Sequence, residues 1–351
     1  MHKPTRQLFA LLLGLGAVWP AAQACTRALY QGPEDTIITV RSMDWMSDIG
    51  TNLWVMPRGV AREGLAGPGS VQWTSKYGSV IATAFDAATA DGMNERGLVM
   101  NLLYLAESVY PTPAQDEKRL PLSLWGQYVL DLYGTVAEAV EALRAEPIYV
   151  VPMPTPDGHA GTAHISLSDP SGDSAILEYV DGKLVIHHGR EYDVMTNSPT
   201  FDQQLALNTY WSKIGGENML PGTHRAADRF ARTSFYIKAT TKTANSAEAV
   251  AAAFSVIRGS SVPLGVTTPG QPNVAATLWR TVADHKNRRY YYESVRSPLV
   301  FWVDFSDVDF SPAAGQRLLP VSKGELYSGN AAARFQPATP FAFLPGKPDT
   351  H

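Results

Sequence analysis

The 351-residue sequence predicts a layered α+β fold, with helices outside two sheets of antiparallel strands. Three observations carry this. Strand-like runs follow one another across short turns holding Gly, Asp or Asn, which is how antiparallel neighbours are joined. Blocks of amphipathic helix separate those runs, and each such helix needs a sheet to receive its apolar stripe. No repeat, low-complexity linker or clear boundary divides the chain, so residues 25–351 read as a single domain behind a leader at residues 1–24.

After a turn at Gln31-Gly32-Pro33, the β-branched run Thr36 to Arg41 reads as a strand continuing through Ser42-Met43-Asp44-Trp45. Leu53 to Met56 reads as a second, closed by Pro57 and Gly59. Ser79 to Phe85 and Leu98 to Tyr104 read as a pair, with Asp91 to Gly97 as the turn between them. Pro121 to Leu132 and Ala139 to Arg144 read as helices, the second behind a capping box at Thr135-Val136-Ala137-Glu138. A meander follows in Ile165 to Ser168, Ser174 to Val180 and Lys183 to His188, with Asp181-Gly182 as a hairpin signal. Asp193 to Pro199 is a strand running into a turn. Helices return at Phe201 to Leu207, Arg225 to Lys238 and Asn245 to Ile257, and strands at Thr277 to Ala283, Arg289 to Val295 and Phe301 to Phe305.

Composition narrows the function. Hydrophobic residues make up 45% and charged residues 18%, as in an ordinary globular protein. Residues 1–24 have the parts of a secretion leader: Lys3 and Arg6, an apolar middle from Leu8 to Val18, and the small-residue step Ala22-Gln23-Ala24. Cleavage after Ala24 would change the formal charge from −4 to −6, which excludes a basic nucleic-acid or anionic-membrane surface. No later stretch is apolar for the roughly 18 residues a membrane span requires. The leader implies export to a bacterial periplasm.

Cys25 is the only cysteine, which excludes an intramolecular disulfide and a multi-cysteine metal site. Exported proteins usually pair their thiols, so a lone thiol at the cleavage point needs a reason. One is that cleavage puts a free α-amine and a thiol on the same residue, a nucleophile with its own base. The other is lipid attachment, which would make the chain a tethered binding protein with Cys25 as its anchor. Ala22 stands where that pathway prefers a large aliphatic residue.

A nucleophilic N-terminal cysteine wants a cation beside the thiol, a carboxylate beside the amine and donors for an oxyanion. Arg41 and Asp44 end the first strand after Cys25, and a hairpin-like return could bring them beside it; alternatively they form an exposed ion pair. Asn197 could as well cap its own turn, and Arg229 could be helix-surface charge. The histidines have no ligand spacing, so no metal site is expected.

The pieces Cys25-Thr26-Arg27, Arg41-Ser42-Met43-Asp44-Trp45, Asp91-Gly92-Met93-Asn94-Glu95-Arg96-Gly97-Leu98, Val194-Met195-Thr196-Asn197-Ser198-Pro199, Leu220-Pro221-Gly222 and Asp228-Arg229-Phe230-Ala231-Arg232 together resemble the choloylglycine hydrolase family. Its members are N-terminal-nucleophile amidases, among them bile salt hydrolases and penicillin V acylases. The resemblance implies a four-layer αββα sandwich, no cofactor and a small-molecule N-acyl amide substrate. It implies Cys25 as nucleophile with its amine as base, Arg41 supporting the thiolate, and Asp44 holding the amine. Asn197 and the backbone N–H of Tyr104 would receive the oxyanion, and Arg229 would complete the charged network. Tyr104 stands where penicillin V acylases have tyrosine and bile salt hydrolases asparagine. The exported leader and the short Asn197–Arg229 segment resemble the Gram-negative branch, whose members cleave penicillin V and long-chain N-acyl homoserine lactones; those substrates are expected ahead of conjugated bile salts. Trp45 would pack against the acyl group or else fill core. A homotetramer is the assembly the resemblance implies, although the segment that supports it elsewhere is reduced here.

Overall fold

The computed structural model describes residues 25–112, 117–266 and 275–346, so the leader expected at 1–24 lies outside the described residues. One sheet has seven strands in the order Val194–Met195, Thr26–Gln31, Ile37–Trp45, Ala276–Asp284, Arg289–Ser294, Val300–Asp304 and Gly329–Asn330. The other has nine, in the order Lys183–His188, Ser174–Val180, Ala163–Ser168, Val99–Tyr104, Ala88–Asn94, Ser79–Ala84, Leu53–Met56, Arg317–Leu319 and Gln336–Pro337. Apart from the short parallel contact of Gly329–Asn330, the pairs in both are antiparallel. Helices Ala226–Ala239 and Ser246–Ser260 pack on Thr26–Gln31 and Ile37–Trp45, while Leu122–Leu132 and Val136–Ala145 pack on the nine-stranded sheet. The layers are therefore αββα.

Burial follows from that layering. All nine residues of Ile37–Trp45 are buried, because helices cover one face of the strand and the second sheet covers the other. Between the sheets, Met43 shares one apolar cluster with Val80, Ala82, Met93 and Val99, and the same cluster takes in Ile38 and Val40 on the strand's helix-covered face. Under the first helix pair, Trp125, Val129 and Leu143 pack with Ile81, Met100 and Leu167.

The strand and helix expectations hold with shifted ends. The helix expected to stop at Leu207 runs from Phe201 to Ile214. Thr135 caps as expected, accepting from Glu138 N, but the Glu138 carboxylate takes the N–H of Gly134 rather than that of Thr135. Asp91 to Asn94 are not turn residues. They belong to the buried strand Ala88–Asn94, and only Glu95, Arg96 and Gly97 make the reversal. The polar run at Asp91 hid a strand because Asp91 finds its partners across the core. Thr26–Gln31 is a further strand that local signals did not reveal.

One buried polar chain fixes the segment leading to Asn197. Glu178, on Ser174–Val180, accepts from the N–H of Phe201 at 2.9 Å, capping a helix that has no side-chain cap of its own. Its Oε1 lies 2.7 Å from Nδ1 of His164, and His164 Nε2 lies 2.7 Å from the carbonyl of Thr196. Both side chains are almost wholly buried. Replacing Glu178 with Ala leaves the ring and the helix end unpartnered, so a loss of about 3–5 kcal/mol in unfolding free energy is expected from urea titration. Glu178→Gln should lose less, because it keeps an acceptor.

Candidate active site

Strand register delivers the site. Thr26 pairs with Ser42 and Arg27 with Met195, so the first ladder carried one step further and the second carried two set Cys25 between Met43 and Asn197. Alternation along Ile37–Trp45 then sends Arg41, Met43 and Trp45 to the inter-sheet face, where they line a cavity with Cys25. Ser42 and Asp44 go to the opposite face, under the helix carrying Arg229. The end of the strand thus has a thiol side and a backbone-nitrogen side, each with its own charged partners.

On the nitrogen side, Cys25 N donates to Asn197 Oδ1 at 2.5 Å. In the uncleaved chain this nitrogen is a peptide N–H; it stands where the α-amine would be after cleavage. Arg229 spends every group on this corner. Its Nη2 donates to Asn197 Oδ1 at 2.9 Å, its Nη1 to the Cys25 carbonyl and Thr26 Oγ1, each at 2.5 Å, and its Nε to the carbonyl of His224 at 3.0 Å. Burial lowers the Arg229 guanidinium to about 10, with Asp44 opposing, so it stays charged at neutral pH. Asp44 is fully buried; its Oδ2 lies 3.4 Å from Ser42 Oγ, and its Oδ1 has no hydrogen-bond partner among the described residues. Burial pushes its carboxyl up to about 6 against the pull of Arg229, the Thr277 hydroxyl and Arg41.

On the thiol side, Cys25 Sγ lies 3.8 Å from Arg41 Nη2. Burial pushes the thiol pKa up, and the Arg41 charge only partly reverses it. Arg41 is clamped between the sheets. It lies 4.5 Å over the Trp279 ring, 3.6 Å from Asp91 Oδ2, and its Nη2 donates to the Leu102 carbonyl at 2.8 Å. Its Nε and Nη1 make no hydrogen bond. Asp91, which sequence reasoning placed in a turn, is in turn held by Tyr290 Oη at 2.5 Å and Asn101 Nδ2 at 2.7 Å. Its position inside a quoted motif was the signal that could have marked it.

Tyr104 enters through its backbone. The pairing of Ala88–Asn94 with Val99–Tyr104 stops at Asp91 and Asn101, while the second strand runs three residues further. The open edge supplies the Leu102 carbonyl to Arg41 and the Tyr104 carbonyl to Asn197 Nδ2 at 2.7 Å. Within a strand residue N–H and C=O point to the same side, so the Tyr104 N–H shares this edge.

The cavity encloses about 680 Å³, counting its open part, and its walls are mostly apolar: Met43, Trp45, Ile49, Phe85, Leu102, Leu122, Met153 and Leu344 among them. Trp45 is both wall and packing. Its ring meets Tyr104 edge-on at 6.1 Å and its Nε1 donates to Asp157 Oδ2 at 2.8 Å. Desolvation would raise the Asp157 carboxyl, but donors from Thr155, Trp45, His159 and Ser47 hold it down at about 2. Asp157 and its loop went unread in the sequence, because a Pro-Asp-Gly turn looks alike wherever it packs. A Cβ on Gly161 would fall 1.7 Å from the Met153 carbonyl, so only glycine lets that loop close at its neck.

All six proposed reaction residues and Trp45 thus converge. Neither an exposed Arg41–Asp44 pair nor a surface Arg229 is found; all three side chains are fully buried and Arg41 and Asp44 point to opposite faces. Among the described residues no group of His, Cys, Asp and Glu could hold a metal ion, and no helix is long and apolar enough to cross a membrane.

The family model of linear amide C–N hydrolases, choloylglycine hydrolase family, matches residues 25–312. A penicillin V acylase from Pectobacterium atrosepticum is 50% identical, over 96% of this chain and 95% of its own. The structure of a penicillin V acylase from Agrobacterium tumefaciens superposes with a TM-score of 0.86 at 54% identity, covering 91% of this chain and 99% of that one. A conjugated bile acid hydrolase from Clostridium perfringens shares the fold, at TM-score 0.74 and 23% identity over 87% of this chain and 99% of its own. The chain belongs to the choloylglycine hydrolase family and is a hydrolase of carbon–nitrogen bonds in linear amides.

Proposed function

We propose that the chain is exported, cleaved after Ala24 and activated by that cleavage as an N-terminal-cysteine amidase of penicillin V and N-acyl homoserine lactones. The observation that carries this reading is the pair of surroundings at Cys25: a thiol facing Arg41 and the cavity, and a nitrogen on Asn197, which Arg229 holds from the other side. The buried, unpartnered Oδ1 of Asp44 supports it, since a free amine brings protons that a peptide nitrogen lacks. The family match beginning at Cys25 supports it too.

The chemistry follows from the partners. A thiol raised by burial is not a standing thiolate, so attack needs a base at the moment of reaction. The α-amine takes the proton as sulfur bonds to the amide carbon, and Arg41 offsets the charge arising on sulfur. Asn197 Nδ2 has two N–H groups. One is held by the Tyr104 carbonyl; the other, with the Tyr104 N–H, receives the oxyanion. The α-ammonium then protonates the leaving amine as the C–N bond breaks, giving a thioester on Cys25. A water molecule, deprotonated by the same amine, attacks the thioester; the acid leaves and the thiol is restored. Trp45 and the other apolar walls take the acyl group. Asp44 and Arg229 keep the amine in place.

Three outcomes are expected. Mass spectrometry should find Cys25 unmodified at the mature N-terminus; a diacylglyceryl adduct would indicate a tethered protein and defeat the activation step. Cys25→Ala should abolish release of 6-aminopenicillanic acid from penicillin V, and Asn197→Ala should lower kcat by ~10²–10³ with KM less affected. A panel of penicillin V, acyl homoserine lactones and conjugated bile salts decides the substrate, and preference for bile conjugates would reverse the ranking.

Asp44 gives a pH test. Its folded pKa of about 6 exceeds the unfolded value near 3.9, so protonated Asp44 favours the fold below pH ~4 and that support is lost as pH rises through 6. In a chain whose residue 25 is still acylated, Asp44→Asn should therefore be the more stable at pH 7, by roughly 3 kcal/mol at most. The gap should close below pH ~4 in paired melting curves.

A further inference from the structure

The chain beyond the family match at residue 312 comes back to the cavity. Leu344 N donates to the Ala87 carbonyl at 3.0 Å, and the Leu344 carbonyl accepts from Ser123 Oγ at 2.6 Å. Two residues on, Gly346 N donates to the Leu65 carbonyl at 2.9 Å, and a Cβ there would stand 3.0 Å from Val151 Cγ1. Upstream, Phe341 rests edge-on against Trp54 with centroids 5.2 Å apart. The tail is thus fastened on both sides of one residue, Leu344, whose own N–H and C=O are both tied to other elements. Leu344 lines the same cavity as Cys25, and its half-buried side chain packs against the cluster that holds Met153 and Ala163.

We propose that this C-terminal strap is a specificity element of the amidase, with Leu344 as the side chain that limits the length of the apolar acyl group. The inference rests on the amidase reading for its biological meaning, but its physical content is a wall of the cavity. A fixed backbone holds that wall in place, so the room it leaves depends on the size of the side chain. Each methylene that gains or loses apolar contact changes binding by about fourfold, so a change from leucine to alanine or tryptophan is large enough to read. Packing on the surface alone would give no dependence on acyl length.

The test uses the mature protein and Leu344→Ala and Leu344→Trp. Kinetics are measured on amides of one amine with acyl chains from butanoyl to dodecanoyl. Binding of the matching free carboxylic acids to the same chains with Cys25→Ala is measured by calorimetry. Leu344→Ala should move the preferred length upward and Leu344→Trp downward, with the long-to-short ratio of kcat/KM differing at least tenfold between them. The acids should follow the same order. Ser123→Ala, a change on the cavity wall that removes one of the strap's ties and leaves Leu344 itself in place, should broaden the length profile and so guards against a variant that misfolds. Unmoved profiles in folded variants overturn the proposal and leave the amidase reading standing. If the parent cleaved none of these amides while acid binding still shifted with residue 344, the wall would stand and the amidase reading would fall.

Discussion

The rest of the site depends on a single acceptor, Asn197 Oδ1. It receives Cys25 N and Arg229 Nη2, while the other end of the same amide donates to the Tyr104 carbonyl. Three segments far apart in sequence meet on one side chain, and the amide can satisfy them in only one orientation, because its oxygen must face two donors and its nitrogen an acceptor. What holds Asn197 is correspondingly rigid. The strand Val194–Met195 pairs with the strand behind Cys25, and His164 and Glu178 fix the carbonyl just before it. Side-chain geometry at the cysteine is therefore inherited from backbone ladders in two sheets and from one buried His–Glu contact.

Around that acceptor the molecule keeps charges that a core built for stability alone would not. Arg41, Asp44, Asp91 and Arg229 are all fully buried. Arg229 is satisfied throughout, yet Arg41 keeps two donor nitrogens without hydrogen bonds and Asp44 keeps one bare oxygen. Buried polar atoms without partners are rare, and each weakens the fold. Here they lie on opposite sides of one cysteine, which is where a reaction that moves charge between sulfur and nitrogen would draw on them. Arg41 needs the support of Trp279 and Asp91 because its unpaired charge could not otherwise remain between two sheets.

Much of this was legible in the sequence, and the parts that were not share a cause. Strand alternation and caps are local, so most elements could be read with ends off by a few residues. The spacing of Arg41 and Asp44 is local too, and odd and even positions on a strand put them on opposite faces. Asp91 was misread because a buried Asp-Gly pair has the same composition as a turn; only Tyr290 and Asn101, from other strands, make it tenable in a core. Glu178, His164, Asp157 and Leu344 left no local trace, since each matters through a neighbour that tertiary structure supplies. The sites of Cys25, Asn197 and Arg229 were legible only as motif pieces in order, for nothing in the spacing of 25, 197 and 229 says that they meet.

The charged surroundings of Cys25 and the walls of the cavity are built from different parts of the fold. Cys25, Arg41, Asp44, Asn197 and Arg229 sit on the seven-stranded sheet or on the segments packed against it. Much of the cavity wall comes instead from the nine-stranded sheet, the loop from Met153 to Gly161 and the tail at Leu344. A change in a wall need not disturb the register that places the cysteine, so relatives can keep the arrangement and alter what it accepts. The fold shared with a bile acid hydrolase at 23% identity therefore says little about substrate. Trp45 is where the two parts touch. It shares a strand and a face with Arg41, yet its indole is fixed by Asp157 from the opposite loop, so the cavity wall is referenced to the cysteine through one hydrogen bond of 2.8 Å.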